Sequence, residues 1–369
     1  MTDLPLIVDA HEDLAWNALV FGRDYTQSAL ETRRRETAEK NPALEHNGQC
    51  CIGLPEWLAG RVAVVFGTLY AAPARRRQHH VNSQTYETAD QAHTIGLAQM
   101  DYYRRLAAGS DSIRLIGKRN DLEAVLATWA DDQPEDSHQV GLVPLMEGAD
   151  LIREPEEAGF WFDQGLRIVG LAWAATRYAG GTGEPGPLTE AGYRLLDAMA
   201  AAGLMLDLSH AAEEAYFQAL DRFEGTVMVT HANPRRFLPT DRGLSDEMIQ
   251  RLVARGGVVG IVPYNAFLQP GWKETRDKQA VTLTDVVTAI DHVCQLVGDT
   301  AHVGLGSDFD GGLGAESIPA EMDTVADLAK LAPALRARGY AEADVARIMG
   351  GNWLRVLRAR LPGDDPVRE

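Results

Sequence analysis

Cysteine is scarce: Cys50, Cys51 and Cys294 are the three in 369 residues, too few for a disulfide framework. The adjacent pair Cys50 and Cys51 lacks the spacer that thiolate metal sites normally carry, so it is read as structural. Basic charge is also short. Thirty-five Lys and Arg stand against 53 Asp and Glu, a formal net charge of −18, which repels nucleic acid and an anionic membrane surface. The one notable basic run, Arg75-Arg76-Arg77, has no interleaved aromatics on which bases could stack and reads as a solvated loop. No apolar stretch approaches the roughly 20 residues that span a bilayer. The N-terminus passes from Met1 almost directly to Leu6-Ile7-Val8, without the basic and apolar regions of a secretory leader. A soluble cytoplasmic protein is expected, with neither nucleic acid nor membrane as partner.

What is present is an average globular composition, 45% hydrophobic and 24% charged, with neither disorder nor a repeat array indicated. Eight short β-rich runs alternate with longer amphipathic stretches: Leu6 to Asp9, Val62 to Tyr70, Leu142 to Glu147, Ile168 to Trp173, Leu204 to Asp207, Thr226 to Thr230, Val258 to Tyr264 and Val303 to Ser307. Such βαβα alternation gives a parallel sheet covered by helices, and eight strands close a (β/α)8 barrel. One domain over 1–369 is expected, since barrels of this kind run well above 200 residues. Helix-end signals agree: Thr189 opens and Gly203 ends one helix, Ser245 opens another before Gly256 and Gly257, and Thr284 opens a third that Gly298 ends.

Two regions break the alternation. Residues 23–60 form a long polar connection between the first two strands; a connection of that length is functional or mobile, and with Trp57 it is a candidate cover for the pocket. The stretch Tyr178 to Pro187, rich in Gly and Pro, reads as a loop. Both lie on the strand-exit side, where barrel enzymes place their active sites.

Of ten histidines, seven (His46, His79, His80, His93, His138, His292, His302) lie in polar connections, on helices or before a strand. His11, His210 and His231 instead end predicted strands, and all such ends converge on one face of a barrel. The same rule gathers Asp13, two residues past His11, with Glu147 and Asp308. Three carboxylates buried together repel one another unless cations neutralise them. Imidazole with carboxylate suits zinc and its borderline-hard neighbours. The set therefore predicts a metal site at the C-terminal ends of the strands.

These residues sit in recognisable company. Val8-Asp9-Ala10-His11-Glu12-Asp13-Leu14, Met146-Glu147-Gly148, Leu206-Asp207-Leu208-Ser209-His210, Val229-Thr230-His231-Ala232-Asn233, the Gly-Ser-Asp-Phe-Asp-Gly run at 306–311 and Gly350-Gly351-Asn352-Trp353-Leu354-Arg355-Val356 together resemble the renal (membrane) dipeptidase family of the amidohydrolase superfamily, along nearly the whole chain. The opening His-x-Asp, where most amidohydrolases carry His-x-His, selects that family. The resemblance implies two zinc ions per subunit, with His11 and Asp13 on one, His210 and His231 on the other, and Glu147 bridging. It also implies hydrolysis of a dipeptide amide by a hydroxide bridging the ions, with Asp308 as general base and then acid. Arg242 matches the arginine that recognises the substrate carboxylate, for which a guanidinium fork is suited; Arg235 and Arg236 are nearby rivals. Homodimers are frequent in the family, so a homodimer is a further implication.

One position departs. Where dipeptidases of the family end the fourth strand with histidine, this chain has Trp173, in Leu171-Ala172-Trp173-Ala174. Arg177 and Tyr178 are candidates for the lost oxyanion contact, and Trp173 is otherwise a residue of the pocket wall, with Tyr70 and Tyr264 as further substrate-binding residues. Asp150, three past Glu147, either biases the pocket toward a cationic substrate end or caps a helix. The departure leaves open another small amide, N-acyl amino acid, lactam or ester as substrate, and a binding barrel without catalysis.

Overall fold

The computed structural model describes residues 4–77 and 79–363; positions 1–3, 78 and 364–369, which the single-domain expectation also spans, lie outside the described residues. Eight parallel strands form a ring: β1 (Ile7–Glu12), β2 (Val62–Tyr70), β3 (Val140–Glu147), β4 (Ile168–Gly170), β5 (Met205–Asp207), β6 (Val227–Met228), β7 (Val259–Ile261) and β8 (Val303–Leu305). Neighbours pair in chain order, β8 pairs back onto β1, and a parallel bridge Val229–Val259 joins β6 to β7. This is the expected (β/α)8 barrel. A further short strand, Ile113–Leu115, pairs with the first half of β3.

Side-chain alternation explains how the strands serve the site. Residues two apart on a strand share a face. Val64 and Phe66 of β2 and Val143 and Leu145 of β3 join Val8, Met205, Met228 and Trp353 in one buried cluster. The same faces continue upward into Thr68 and Tyr70, and into Glu147, so an apolar floor gives way to a polar mouth within single strands. Trp353, on the helix Asn352–Arg360, seals this floor: its ring stands edge-on to Phe66 and its indole N–H donates to the Leu305 carbonyl at 3.0 Å.

Strands β4 to β8 are shorter than their sequence runs suggest. Two aspartates end the ladder early by accepting backbone N–H groups that a strand would otherwise use. Asp207 Oδ1 accepts from Ser209 and Thr230 N–H, at 2.9 and 3.0 Å; Asp9 Oδ1 accepts from Ser307 N–H at 2.7 Å. As a result His210, His231 and Asp308 stand on loops just beyond the strands rather than within them, and Trp173 and Tyr264 likewise follow the ends of β4 and β7.

The helix expectations hold with one shift. Thr189 and Ser245 cap Glu190–Ala202 and Asp246–Ala254 through their hydroxyls. The third helix, Leu283–Val297, is opened by Thr282 instead of Thr284, because the Asp285 carboxylate accepts the Thr282 N–H at 2.8 Å and completes a capping box. The connection 23–60 carries the ordered helices Ala29–Glu39, Ala43–His46 and Leu54–Ala59. The Gly- and Pro-rich stretch is a β-hairpin, Ala179–Gly181 against Glu184–Leu188, with Gly183 at φ +69° in its turn. Proline and glycine marked the turn and hid the strands.

Candidate active site

At the barrel mouth the structure brings together all six expected polar residues. Glu147 Oε1 lies 3.1 Å from His210 Nε2, 3.3 Å from His231 Nε2 and 3.7 Å from His11 Nε2. His11 Nε2 is also 3.7 Å from Asp13 Oδ2 and 4.0 Å from Asp308 Oδ1. His11 and His231 stack with ring centroids 3.5 Å apart. Ligand atoms of His11, Glu147 and His231 form one compact triad, and those of His11, Asp13 and Asp308 another.

The imidazole tautomers follow from partners that sequence reasoning missed. The Thr230 hydroxyl gives its proton to Asp207 Oδ2 at 2.6 Å, so toward imidazole it can only accept. It meets His231 Nδ1 at 3.0 Å and His11 Nδ1 at 3.4 Å, which places hydrogen on both Nδ1 atoms and leaves both Nε2 lone pairs bare. His210 Nδ1 meets the Thr182 hydroxyl at 2.9 Å, and that hydroxyl donates to the His210 carbonyl. Three ring nitrogens thus face one carboxylate, with His210 Nε2 and His231 Nε2 only 3.0 Å from each other. Carboxylate or hydroxyl partners that orient ligand histidines are the usual support of a metal site.

Electrostatics test the fit of a cation. Burial holds His11, His210 and His231 well below the ordinary imidazole range, so they are neutral, as ligands must be. Burial and then the proximity of Asp13 and Asp308 push Glu147 well up; burial pushes Asp13 up to about 7; burial and Asp13 push Asp308 up. His11 Nε2 is buried with no hydrogen-bond partner among the described residues. Neutral imidazoles, an orphaned nitrogen and mutually repelling acids are what a divalent cation would reconcile. The cluster is able to coordinate a metal ion.

The backbone concentrates its unusual geometry here. His210, Asp308 and Asp310 have φ of +63°, +59° and +60°, a region non-glycine residues seldom occupy and which recurs at functional sites. Gly311 is required beside them, since a Cβ there would stand 2.2 Å from Asp308 Oδ1 and 2.6 Å from Asp13 Oδ2. Asp310 points away into a buried network, accepting from Tyr25 Oη at 2.8 Å and Cys51 N–H at 2.9 Å and pairing with Arg23 Nη1 at 2.9 Å. Arg23 is held in turn by Glu36 and the Gly48 carbonyl, at 2.8 and 2.7 Å. Connection 23–60 is therefore a buttress under the Asp308 loop. Trp57 is no cover for the pocket: fully buried, it donates its indole N–H to Glu12 at 3.0 Å.

A cavity of about 460 Å³ opens above the cluster, lined by Asp13, Glu147, His210 and Asp308 together with Arg242, Trp173, Tyr70 and Tyr264. Arg242 uses one nitrogen on the His231 carbonyl at 2.6 Å and keeps Nε and Nη1 buried without partners among the described residues. Its rivals are elsewhere: Arg235 pairs with Glu213 at 2.7 Å and Arg236 is exposed. Trp173 stands edge-on to Tyr70 at 5.2 Å and 6.3 Å from the His210 ring, a wall residue. Arg177 and Tyr178 do not replace the missing imidazole. The Arg177 guanidinium is spent on Asp150 at 3.1 Å and on the Ile152 and Arg153 carbonyls, and Tyr178 Oη donates to the Ile152 carbonyl at 2.6 Å. Asp150, held by Arg177 and the Tyr86 hydroxyl, neither charges the pocket nor caps a helix. The basic run is more than a solvated loop, because Arg75 and Arg76 both grip Glu184 of the hairpin, at 2.8 and 2.7 Å.

Comparison with known proteins agrees with this geometry. The family described as Membrane dipeptidase (Peptidase family M19) matches residues 1–361. An uncharacterized protein in the pqqA 5' region of Klebsiella pneumoniae is 34% identical over 54% of this chain and 73% of its own length. Dipeptidase aclJ of Aspergillus oryzae is 26% identical over 97% of this chain and 78% of its own. Among solved structures, a metallo peptidase from Rhodobacter sphaeroides, liganded with a phosphinate mimic of the dipeptide L-Ala-D-Ala, superposes with a TM-score of 0.77 at 24% identity, covering 97% of this chain and all of that one. With a match running from the first strand through the helix that seals the barrel floor, and a buried His, Asp and Glu cluster at its mouth, the chain belongs to the membrane dipeptidase family of metallopeptidases.

Proposed function

We propose that the chain is a zinc-dependent dipeptidase that hydrolyses the amide of a short substrate ending in a free carboxylate. One observation carries this reading: a metal-competent cluster and a buried guanidinium with two unpartnered nitrogens open onto the same cavity. A buried guanidinium with N–H groups to spare attracts a carboxylate, and its place beside the cluster sets the distance from that carboxylate to the scissile bond.

His11 and Asp13 are proposed to hold one ion, His210 and His231 a second, and Glu147 both; the near-equal spacing of Glu147 Oε1 from three imidazoles supports a shared ligand. Bound zinc supplies Lewis acidity toward the amide carbonyl and acidifies water. The chain's residues do the rest. Arg242 anchors the carboxylate and so fixes the amide over the cluster. Asp308 Oδ1, on the cavity side of His11, accepts the proton of the attacking water and returns it to the leaving amine.

The experiment is a dipeptide panel, L,L and L,D, on protein reconstituted with zinc. Amino acid release is expected from at least part of the panel, and Asp308→Asn is expected to lower kcat by about 10²–10⁴-fold with about two zinc equivalents still bound in the two-metal arrangement. Wild-type protein with that zinc content and no release from any member would overturn the reading.

A further inference from the structure

The cavity has two unlike sides. Counting around the ring, β2 lies four strands from β6, directly across the barrel. The β6 side carries Arg242, with Tyr264 and Phe267 beyond it; the opposite arc carries Trp16, Tyr70 and Trp173. The cluster occupies the middle.

The aromatic arc is a constructed surface. Trp16 and Tyr70 belong, with Phe21, Ala43 and Ala72, to a hydrophobic cluster separate from the main core, and Trp173, Val20 and Val81 pack against it. Ring centroids of Trp16 and Tyr70 lie 6.4 Å apart at 64°, those of Tyr70 and Trp173 5.2 Å apart at 64°. Steeply inclined neighbours make a corner whose faces accept a flat ring in the offset or edge-on contacts aromatics favour. Trp16 is fixed by its indole N–H on Asn82 at 3.2 Å and by Phe21, edge-on at 5.3 Å behind it. The corner also lacks charge. Of the acids lining the cavity among the described residues, Asp13, Glu147 and Asp308 belong to the cluster, and Asp241 adjoins Arg242 and accepts the Gly183 N–H at 2.6 Å. Asp150, the nearby candidate, is neutralised by Arg177.

We propose that the Trp16–Tyr70–Trp173 corner is a subsite for the acyl half of the substrate, and that it selects an aromatic or large flat apolar group there. The inference rests on the dipeptidase reading for its orientation: with the carboxylate held at Arg242 and the scissile amide over the cluster, the acyl half extends toward the opposite wall. Small acyl residues such as glycine leave the corner unfilled and forfeit its burial energy.

The test holds the leaving residue constant as alanine and varies the acyl residue, comparing Phe-Ala with Gly-Ala on the zinc-loaded protein. A kcat/KM ratio of at least about 10 is expected, the scale on which an apolar pocket discriminates. Trp173→Ala and Trp16→Ala should bring that ratio below about 3, and Trp173→Phe should restore most of it. A wild-type ratio near one, or a ratio unchanged in both alanine variants, overturns the subsite while leaving the dipeptidase reading intact. Binding gives an independent readout should no peptide be cleaved. N-benzoylglycine should quench tryptophan fluorescence with a Kd at least about 10-fold tighter than that of N-acetylglycine, a gap closed by Trp173→Ala; equal Kd values overturn the subsite.

Discussion

Two of the three imidazoles are held by the barrel, and the third by a loop. His11 and His231 are fully buried and share the Thr230 hydroxyl, which Asp207 orients while capping β5 and β6. The His210 side chain is 11% exposed and takes its tautomer from Thr182, in the turn of a surface hairpin. That hairpin is tied down by Arg75 and Arg76 on Glu184 and by Asp241. The same chemical role is thus given to a rigid support and an adjustable one, so disturbing the first should cost metal and fold together, and disturbing the second should cost metal alone.

The largest effect should come from Asp207→Asn. Its carboxylate accepts from Ser209 N–H and Oγ and from Thr230 N–H and Oγ1, and an amide cannot accept all four. Zinc affinity, measured by competition with a chelator, should fall about 10–100-fold, together with a clear drop in the thermal midpoint. An unchanged midpoint would mean that Asp207 does not serve both purposes.

Acidity should give a smaller effect. Burial raises the carboxyls of Asp13, Glu147 and Asp308 in the folded chain, so metal-free protein binds more protons folded than unfolded. Its stability should therefore fall as pH rises from the ordinary carboxylate range toward about 7, where Asp13 titrates. Zinc bound as proposed would replace those protons, so the thermal shift it produces should grow between pH 5 and 7.5; a shift that shrinks over that span would contradict the account.

Thr182→Val should have the smallest effect, at most about 10-fold in zinc affinity, with the thermal midpoint of metal-free protein unchanged and Thr182→Ser restoring binding. A fall in that midpoint as large as that of Asp207→Asn would erase the distinction between the two supports.

The polar cluster is legible in the sequence because barrel geometry turns strand ends into neighbours. His11, Glu147, His231 and Asp308 require only the eight apolar runs to be counted, and Arg242 requires the family pattern. What stays hidden depends on partners far along the chain. Arg177 looks available for an oxyanion until Asp150, 27 residues earlier, is seen to hold it. Thr230 and Asp207 lie inside the strand-end motifs with no role visible from sequence alone, although a polar residue directly before a strand-end histidine is a signal that orienting groups are at hand. The hairpin at Ala179–Leu188 is masked by its turn residues, and Trp16 by its place on a helix that looks merely apolar.

The link from Arg23 to Asp310 bears on how small this machine can be made. A minimal barrel, trimmed to eight strands and their covering helices, would discard 23–60 as decoration. It would also discard the strut that fixes the turn bearing Asp308, leaving Asp310 a buried anion without its arginine, a strongly destabilising arrangement. The smallest working unit is therefore larger than the smallest closed barrel, and any transplant of this site onto another scaffold has to carry its supports from the first loop along with the ligands.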